Sequence, residues 1–350
     1  MVKTNEAHLS STRESPGQLI PGLLLAAAVA VAAVLSAPFV AKIFPIPAMV
    51  IALLIGIALH FVAAKPLFQP GLAFCVRTLL RWAVALLGLR IALGDIFALG
   101  WKTALVVVIS MLATVVSGVL FARLLGQSKF YGVLAGASTA VCGASAALAT
   151  STVLPNYPRK AADIAFVVVA VNALSTIAMV LYPILCTWVG FDERTSGIFL
   201  GATIHDVAQV VGAGYSISEE AGNSAVIVKL FRVFLLLPVV VGIGWWLAGT
   251  GSLQGDAKVP VPTFAIAFVA LCILNSILPT VPLLAPLYAP VKIALVEAST
   301  WGLLVAIGAL GLGTSIGAIL DLGWRHIVTI VGTTAVILAV VLVGVSVTGL

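Results

Sequence analysis

Charged side chains cluster in short breaks of this chain, and the apolar runs between those breaks last about 17–28 residues, the length a tilted helix needs to cross a bilayer. Lipid offers no partner for backbone N–H and C=O groups, so such runs must close their own hydrogen bonds as helices or as a sealed barrel. No extended alternation of apolar and polar residues is present, which argues against the barrel. Of 350 residues, 62% are hydrophobic and 9% charged, against roughly a quarter charged in soluble domains. The sequence therefore predicts an all-α polytopic membrane protein.

Eleven segments are predicted: Leu19–Pro38, Ile46–Val62, Gly71–Ile96, Ala104–Phe121, Phe130–Thr152, Ala161–Trp188, Ser196–Ser216, Ala221–Leu247, Thr263–Thr280, Pro290–Leu320 and Val328–Thr348. A polar tail, 1–18, precedes a single transmembrane domain, 19–350. The first segment reads as a retained helix rather than a signal peptide, because its apolar stretch is long and the tail carries no net charge. Lys3, Arg13, Lys65, Arg123, Lys129, Arg194, Lys258 and Arg325 fall on one side, and Lys42, Lys102, Arg159 and Lys160 on the other. The excess favours a cytoplasmic N-terminus and an exported C-terminus. The net charge of +6 is thereby a matter of orientation and lipid headgroups, not of nucleic acid.

One phrase occurs twice. GLRIALGDIFALGWK (88–102) returns as GLGTSIGAILDLGWR (311–325), seven segments later. The separation is odd, so the copies are predicted to run in opposite directions through the membrane. Their surroundings agree: Pro45-Ile46-Pro47 matches Pro260-Val261-Pro262, and PLFQP (66–70) matches PLYAP (286–290). The expectation is an inverted repeat, with related halves at approximately 45–121 and 260–348, of the kind that encloses a substrate site in transporters.

Two segments differ from the rest. The fifth carries Gly136, Ser138, Thr139, Cys142, Gly143 and Ser145; the seventh carries Gly201, Thr203, His205, Asp206 and Gln209. Glycine weakens a helix interior, and hydroxyls satisfy backbone groups freed by a break. A break at membrane depth exposes N–H groups and a positive helix end, which attract anions. Tight helix packing explains the same small residues. Ionisable residues inside a spanning segment are costly and face a cavity or a partner, so Asp206 is a candidate proton or cation carrier and His205 a titrating neighbour. Gln209 shares the His205 face. Lys229 and Arg232, three apart, either snorkel to an interface or line a path for anions. Arg77 and Arg81 stand one turn apart, while Arg90 has an uncharged counterpart, Gly313, and Asp95 as a potential partner. Lys292 and Glu297 read as a local pair. The four cysteines, Cys75, Cys142, Cys186 and Cys272, lack metal spacing and read as core residues. No cofactor or metal is expected.

The stretches GASTAVCGASAALA (136–149), GATIHDVAQVVGAG (201–214) and VKLFRVFLLLP (228–238) resemble those of the YeiH-like sulfate exporter family of conserved bacterial inner-membrane proteins, and the resemblance covers nearly the whole chain. Relatives commonly have His-Glu where this chain has His205-Asp206, which keeps the acid and shortens it. The resemblance implies the cation/proton antiporter and bile-acid transporter type of fold, with inverted repeats and crossing unwound helices. In that fold a crossing helix follows the paired helices of each half, yet the sequence offers no twelfth segment. Either segment seven fills the second role or the number of helices differs.

The combined expectation is a non-enzymatic secondary transporter that exports a small anion (sulfate, sulfite or an organosulfur compound), coupled to a proton or sodium gradient. Gly136, Ser138, Thr139, Cys142, Gly143, Ser145, Gly201, Thr203, Gln209, Lys229 and Arg232 would bind substrate, and His205 and Asp206 would carry coupling. An anion channel and a structural membrane protein are the alternatives. Gly143-Ala144-Ser145 lacks the following glycine of a nucleophile elbow, which disfavours an intramembrane enzyme. The bilayer is the chief partner, and a homo-oligomer is left open.

Overall fold

The computed structural model describes residues 16–40, 48–248, 263–282, 284–314 and 324–349. Most of the second repeat phrase (315–323), both Pro-X-Pro entries, the tail through residue 15, Lys42 and Lys258 lie outside the described residues.

The chain is all-α. Its elements are α1 (Pro16–Val40), α2 (Ala48–Ala58), α3 (His60–Ala63), α4 (Gln69–Phe74), α5 (Leu80–Leu86), α6 (Leu93–Ala98), α7 (Gly100–Leu124), α8 (Lys129–Ala140), α9 (Ala144–Val153), α10 (Lys160–Val189), α11 (Glu193–Thr203), α12 (Val207–Ile217), α13 (Glu219–Phe234), α14 (Leu236–Ala248), α15 (Thr263–Ile277), α16 (Ala285–Gly313) and α17 (Trp324–Thr348). A π-helical turn, Cys75–Leu79, joins α4 to α5. Among the described residues, seven helices are long and apolar enough to cross a membrane, and four shorter apolar helices accompany them. This is a multi-pass membrane protein, and its helices follow the segments expected from sequence.

Local chemistry sets the helix starts. Ser128, Asp192, Asp206 and Ser218 each accept a backbone N–H from the first turn of the helix they precede, relieving donors that a helix cannot satisfy itself. The Asp192 carboxyl is held below the usual carboxylate range by its hydrogen bonds from Thr195. Each proline phrase opens a helix: α4 and α16 each carry a proline in the first turn, and α16 takes the second proline of its phrase, Pro290, into its interior.

Packing sorts the helices into two bundles. One gathers α1, α2, α4, α5, α15 and α16; the other gathers α7 to α14 with α17. Helix α1 turns Ile20, Leu24, Val31 and Leu35 outward to lipid and buries Ala26, Val29, Ala30 and Ala33 within its bundle. Close approach within each bundle is bought with glycine. A Cβ on Gly118 of α7 would come within 2.8 Å of the Gly136 backbone on α8, and one on Gly56 of α2 within 2.9 Å of Gly311 on α16. Helix α12 is the main bridge between the bundles, touching α2 and α16.

Candidate functional site

The fifth and seventh segments are both broken, each near its middle. Helix α8 stops at Ala140, and Gly143 adopts φ +64° and ψ −121° before α9 begins. That conformation is open to glycine and strained for any residue with a Cβ. Helix α11 stops at Thr203; Ile204 and Asp206 are extended, and α12 follows. The breaks lie against each other, since a Cβ on Gly143 would stand 3.8 Å from the His205 carbonyl oxygen.

Two carboxyl-terminal helix ends thus meet at depth, each presenting carbonyls without intrahelical partners and a partial negative charge. Lys229 and Arg232 of α13, both fully buried, fill that gap. Lys229 Nζ donates to Val141 O at 2.6 Å, to Ile204 O at 3.0 Å and to His205 O. Arg232 Nε donates to Ala140 O at 3.0 Å; Nη1 donates to Gly201 O and Ile204 O, both at 3.0 Å. Its Nη2 donates to Thr139 O at 3.0 Å and Ala140 O at 2.8 Å. Three donors of the lysine and five of the arginine are all that these groups possess. Every one is spent on backbone.

Helix α17 clamps both breaks from the side. Thr333 and Thr334 each donate a hydroxyl proton to Ile330 O, at 2.8 and 2.9 Å. Their oxygens also face the breaks: Thr139 Oγ1 lies 3.1 Å from Thr333 Oγ1, and His205 Nε2 lies 3.0 Å from Thr334 Oγ1. The imidazole tautomer sets which of Nε2 and Thr334 Oγ1 donates, and with it the state of the other ring nitrogen, Nδ1. That Nδ1 is buried and has no hydrogen-bond partner among the described residues.

On the opposite flank, α10 supplies a polar stripe. Ser175 Oγ accepts the Asp206 N–H at 3.0 Å, and Asn172 Oδ1 accepts Gln209 Nε2 at 3.1 Å. Gln209 Oε1 is buried and unpartnered among the described residues. Asp206 caps α12 through Ala208 N at 2.9 Å and stays partly accessible, as does Val207. Among the described residues no side chain caps α9, whose Ser145 is exposed. The two amino-terminal half-helix ends are therefore the accessible ones, and the carboxyl-terminal ends are sealed.

Residues 21–330 match the family described as Conserved hypothetical protein 698. The chain belongs to this family. The UPF0324 membrane protein TauZ of Paracoccus pantotrophus is 42% identical over 95% of this chain and 96% of its own length. The UPF0324 membrane protein CT0845 of Chlorobaculum tepidum is 41% identical, covering 93% of this chain and 88% of that protein. RB0971 of Rhizobium meliloti, of the same name class, is 41% identical over 93% of this chain. This is the family that the three motif stretches resemble.

The structure brings most of the sequence-nominated residues together. Thr139, Gly143, Gly201, His205, Asp206, Lys229 and Arg232 meet at the paired breaks, with Cys142 buried beside them. Several differ in role from expectation. Lys229 and Arg232 neither snorkel nor offer a free donor. Ser138 and Thr203 are buried and donate to Leu134 O and Phe199 O, one turn back in their own helices. Gly136 packs against α7, and Gly201 admits the α13 backbone near Ala225. Arg90 does not pair with Asp95, whose carboxylate accepts the Ala92 N–H at 2.8 Å. It instead donates to Thr300 Oγ1 at 2.7 Å and lies 3.8 Å from Glu219. Among the described residues Lys292 and Glu297 form no ion pair; Arg90 pairs with Glu219, and His326 Nε2 lies 3.6 Å from Asp163, an ion pair when the imidazole is protonated. All four cysteines are free and buried, as expected. Asn172, Ser175, Thr333 and Thr334 were not nominated; their signal is a polar pair inside an otherwise apolar run, Asn172 to Thr176 and Thr333-Thr334.

Proposed function

We propose that this protein is a secondary active transporter that exports a small anion across a bacterial inner membrane, coupled to a proton or cation gradient. The observation that carries this reading is the meeting of two broken helices around two fully buried cations, with a partly accessible Asp206 at one amino-terminal end. Broken helices at depth are tolerated only where they are enclosed by protein or line a cavity, and transporters use them to hold ions and substrates. The amino-terminal ends of α9 and α12 suit an anion. Asp206 is placed to take up and release a proton or cation, with His205 beside it. The anion is a small oxyanion such as sulfate or sulfite, or an organosulfur compound.

On this reading the sequence-related halves, 45–121 and 260–348, form an inverted repeat, and the amino terminus is cytoplasmic. The function calls for no covalent chemistry, so no enzymatic activity is assigned. Asp206→Asn tests it directly. Asparagine still caps α12, so the variant is expected to insert and fold, yet to lose gradient-driven uptake in inverted vesicles. Full retained uptake would place coupling elsewhere. A channel, the second reading, would show neither saturation nor proton coupling of flux in proteoliposomes.

A further inference from the structure

The paired breaks carry an uncompensated charge, and its size bears on the cargo. The four half-helix ends contribute about −0.5 at each of two carboxyl ends and about +0.5 at each of two amino ends, so their sum is near zero. Formal charges remain: Lys229 and Arg232, with three and five N–H donors engaged on carbonyls, count as two positive charges, Asp206, which accepts the Ala208 N–H, counts as one negative charge, and the imidazole of His205 counts as none. A proton passed from Lys229 to Asp206 would leave the total unchanged.

Among the described residues nothing else nearby alters the sum. The other charged groups of the elements packed around the breaks lie towards helix ends: Lys102 and Arg123 on α7, Lys129 on α8, Lys160 and Asp163 on α10, Glu193 and Arg194 on α11, Glu219 and Glu220 on α13, and Arg325 and His326 on α17. On α16, Lys292 and Glu297 both precede the Ile307 that meets α12 at Gly212, the nearer of them, Glu297, by about 15 Å of helix. A buried net charge is costly unless balanced, and the cations cannot release their donors without exposing six carbonyl groups.

We propose that the site binds its cargo as a net monoanion: a monovalent oxyanion as it stands, a divalent one only with one proton taken from water onto the Asp206 carboxylate. The inference rests on the anion-transport reading and adds its charge stoichiometry. It makes Asp206 the group that sets which valence is accepted. A divalent anion needs the carboxylate protonated; a monovalent anion fits with the carboxylate ionised.

The test uses the full chain in lipid nanodiscs and two probes of similar shape, methanesulfonate and sulfate. Titration calorimetry in buffers of different ionisation enthalpy counts the protons bound. Methanesulfonate is expected to bind without proton uptake and sulfate with one proton per anion. Asp206→Asn removes the negative charge, so sulfate should then bind without a proton, and its affinity relative to methanesulfonate should rise at least about tenfold. Sulfate binding to the unaltered protein with no proton uptake would overturn the proposal without need of the variant. So would an unchanged affinity ratio in Asp206→Asn when both probes bind. Binding of neither probe to the unaltered protein would overturn the anion-transport reading itself.

Discussion

At the scale of single residues, the buried cations answer a backbone problem before they answer a functional one. Arg232 supplies a planar fork of donors and Lys229 a point charge, and between them they satisfy carbonyls from two helices that end inside the membrane. Their spacing in the sequence showed that they share a helix face, but could not show what that face meets. The same limit hid Thr333 and Thr334. Threonine in an apolar helix usually returns its proton to a carbonyl one turn back, which both do; only the fold shows that their oxygens also meet Thr139 and His205. Thr334→Val keeps the shape and removes the hydroxyl partner of His205 Nε2. Leaving that buried nitrogen unpaired is expected to cost about 1–3 kcal/mol, read as a lower unfolding midpoint in detergent. An unchanged midpoint would show that the imidazole does not depend on this bond.

At the scale of elements, the two interrupted helices were legible because their interruptions have a composition. Glycine and hydroxyl residues crowd segment five, which weakens its helix, and His205-Asp206 stands in segment seven, where an ionisable pair is costly in a continuous lipid-facing helix. The exact break points follow from conformation. Gly143 takes a positive φ that returns the chain toward α9, and a Cβ there would also meet Val171 Cγ1 at 3.2 Å. Gly143→Ala is therefore expected to destabilise the protein by about 1–3 kcal/mol and to lower flux in proteoliposomes, because the Val141 carbonyl that Lys229 holds would shift. Gly94→Ala is the matched control, since a Cβ there would meet nothing within 4 Å. Equal behaviour of the two variants would remove the case for a conformational demand at Gly143. Packing glycines such as Gly136 share the same composition, which is why sequence alone could not separate a lining role from close helix contact.

At the scale of the whole molecule, what matters is the seam between the two bundles. The segments and the repeat phrases are legible in the sequence but this division is not, because which helices pack together depends on contacts far apart in the chain. Arg90, at the end of the first repeat phrase's opening turn, stands on one side of the seam. Across it lie Glu219, 72% exposed at 3.8 Å, and the Tyr215 ring, whose centroid is 5.6 Å from the guanidinium. Its Nε has no hydrogen-bond partner among the described residues. A long, solvent-screened pair of this kind contributes about 0–1 kcal/mol, so it marks the seam without locking it. If transport moves one bundle against the other, a covalent tie at this point should stop it. Arg90→Cys combined with Glu219→Cys provides the tie when treated with a flexible bifunctional maleimide. The four native cysteines are buried and react poorly by comparison. Cross-linked protein in proteoliposomes is expected to lose flux, whereas the same double variant capped with a monofunctional maleimide keeps it. Equal flux in both preparations would mean that the bundles do not separate along α12 during transport, and the moving part would have to be sought within the bundle that holds the paired breaks.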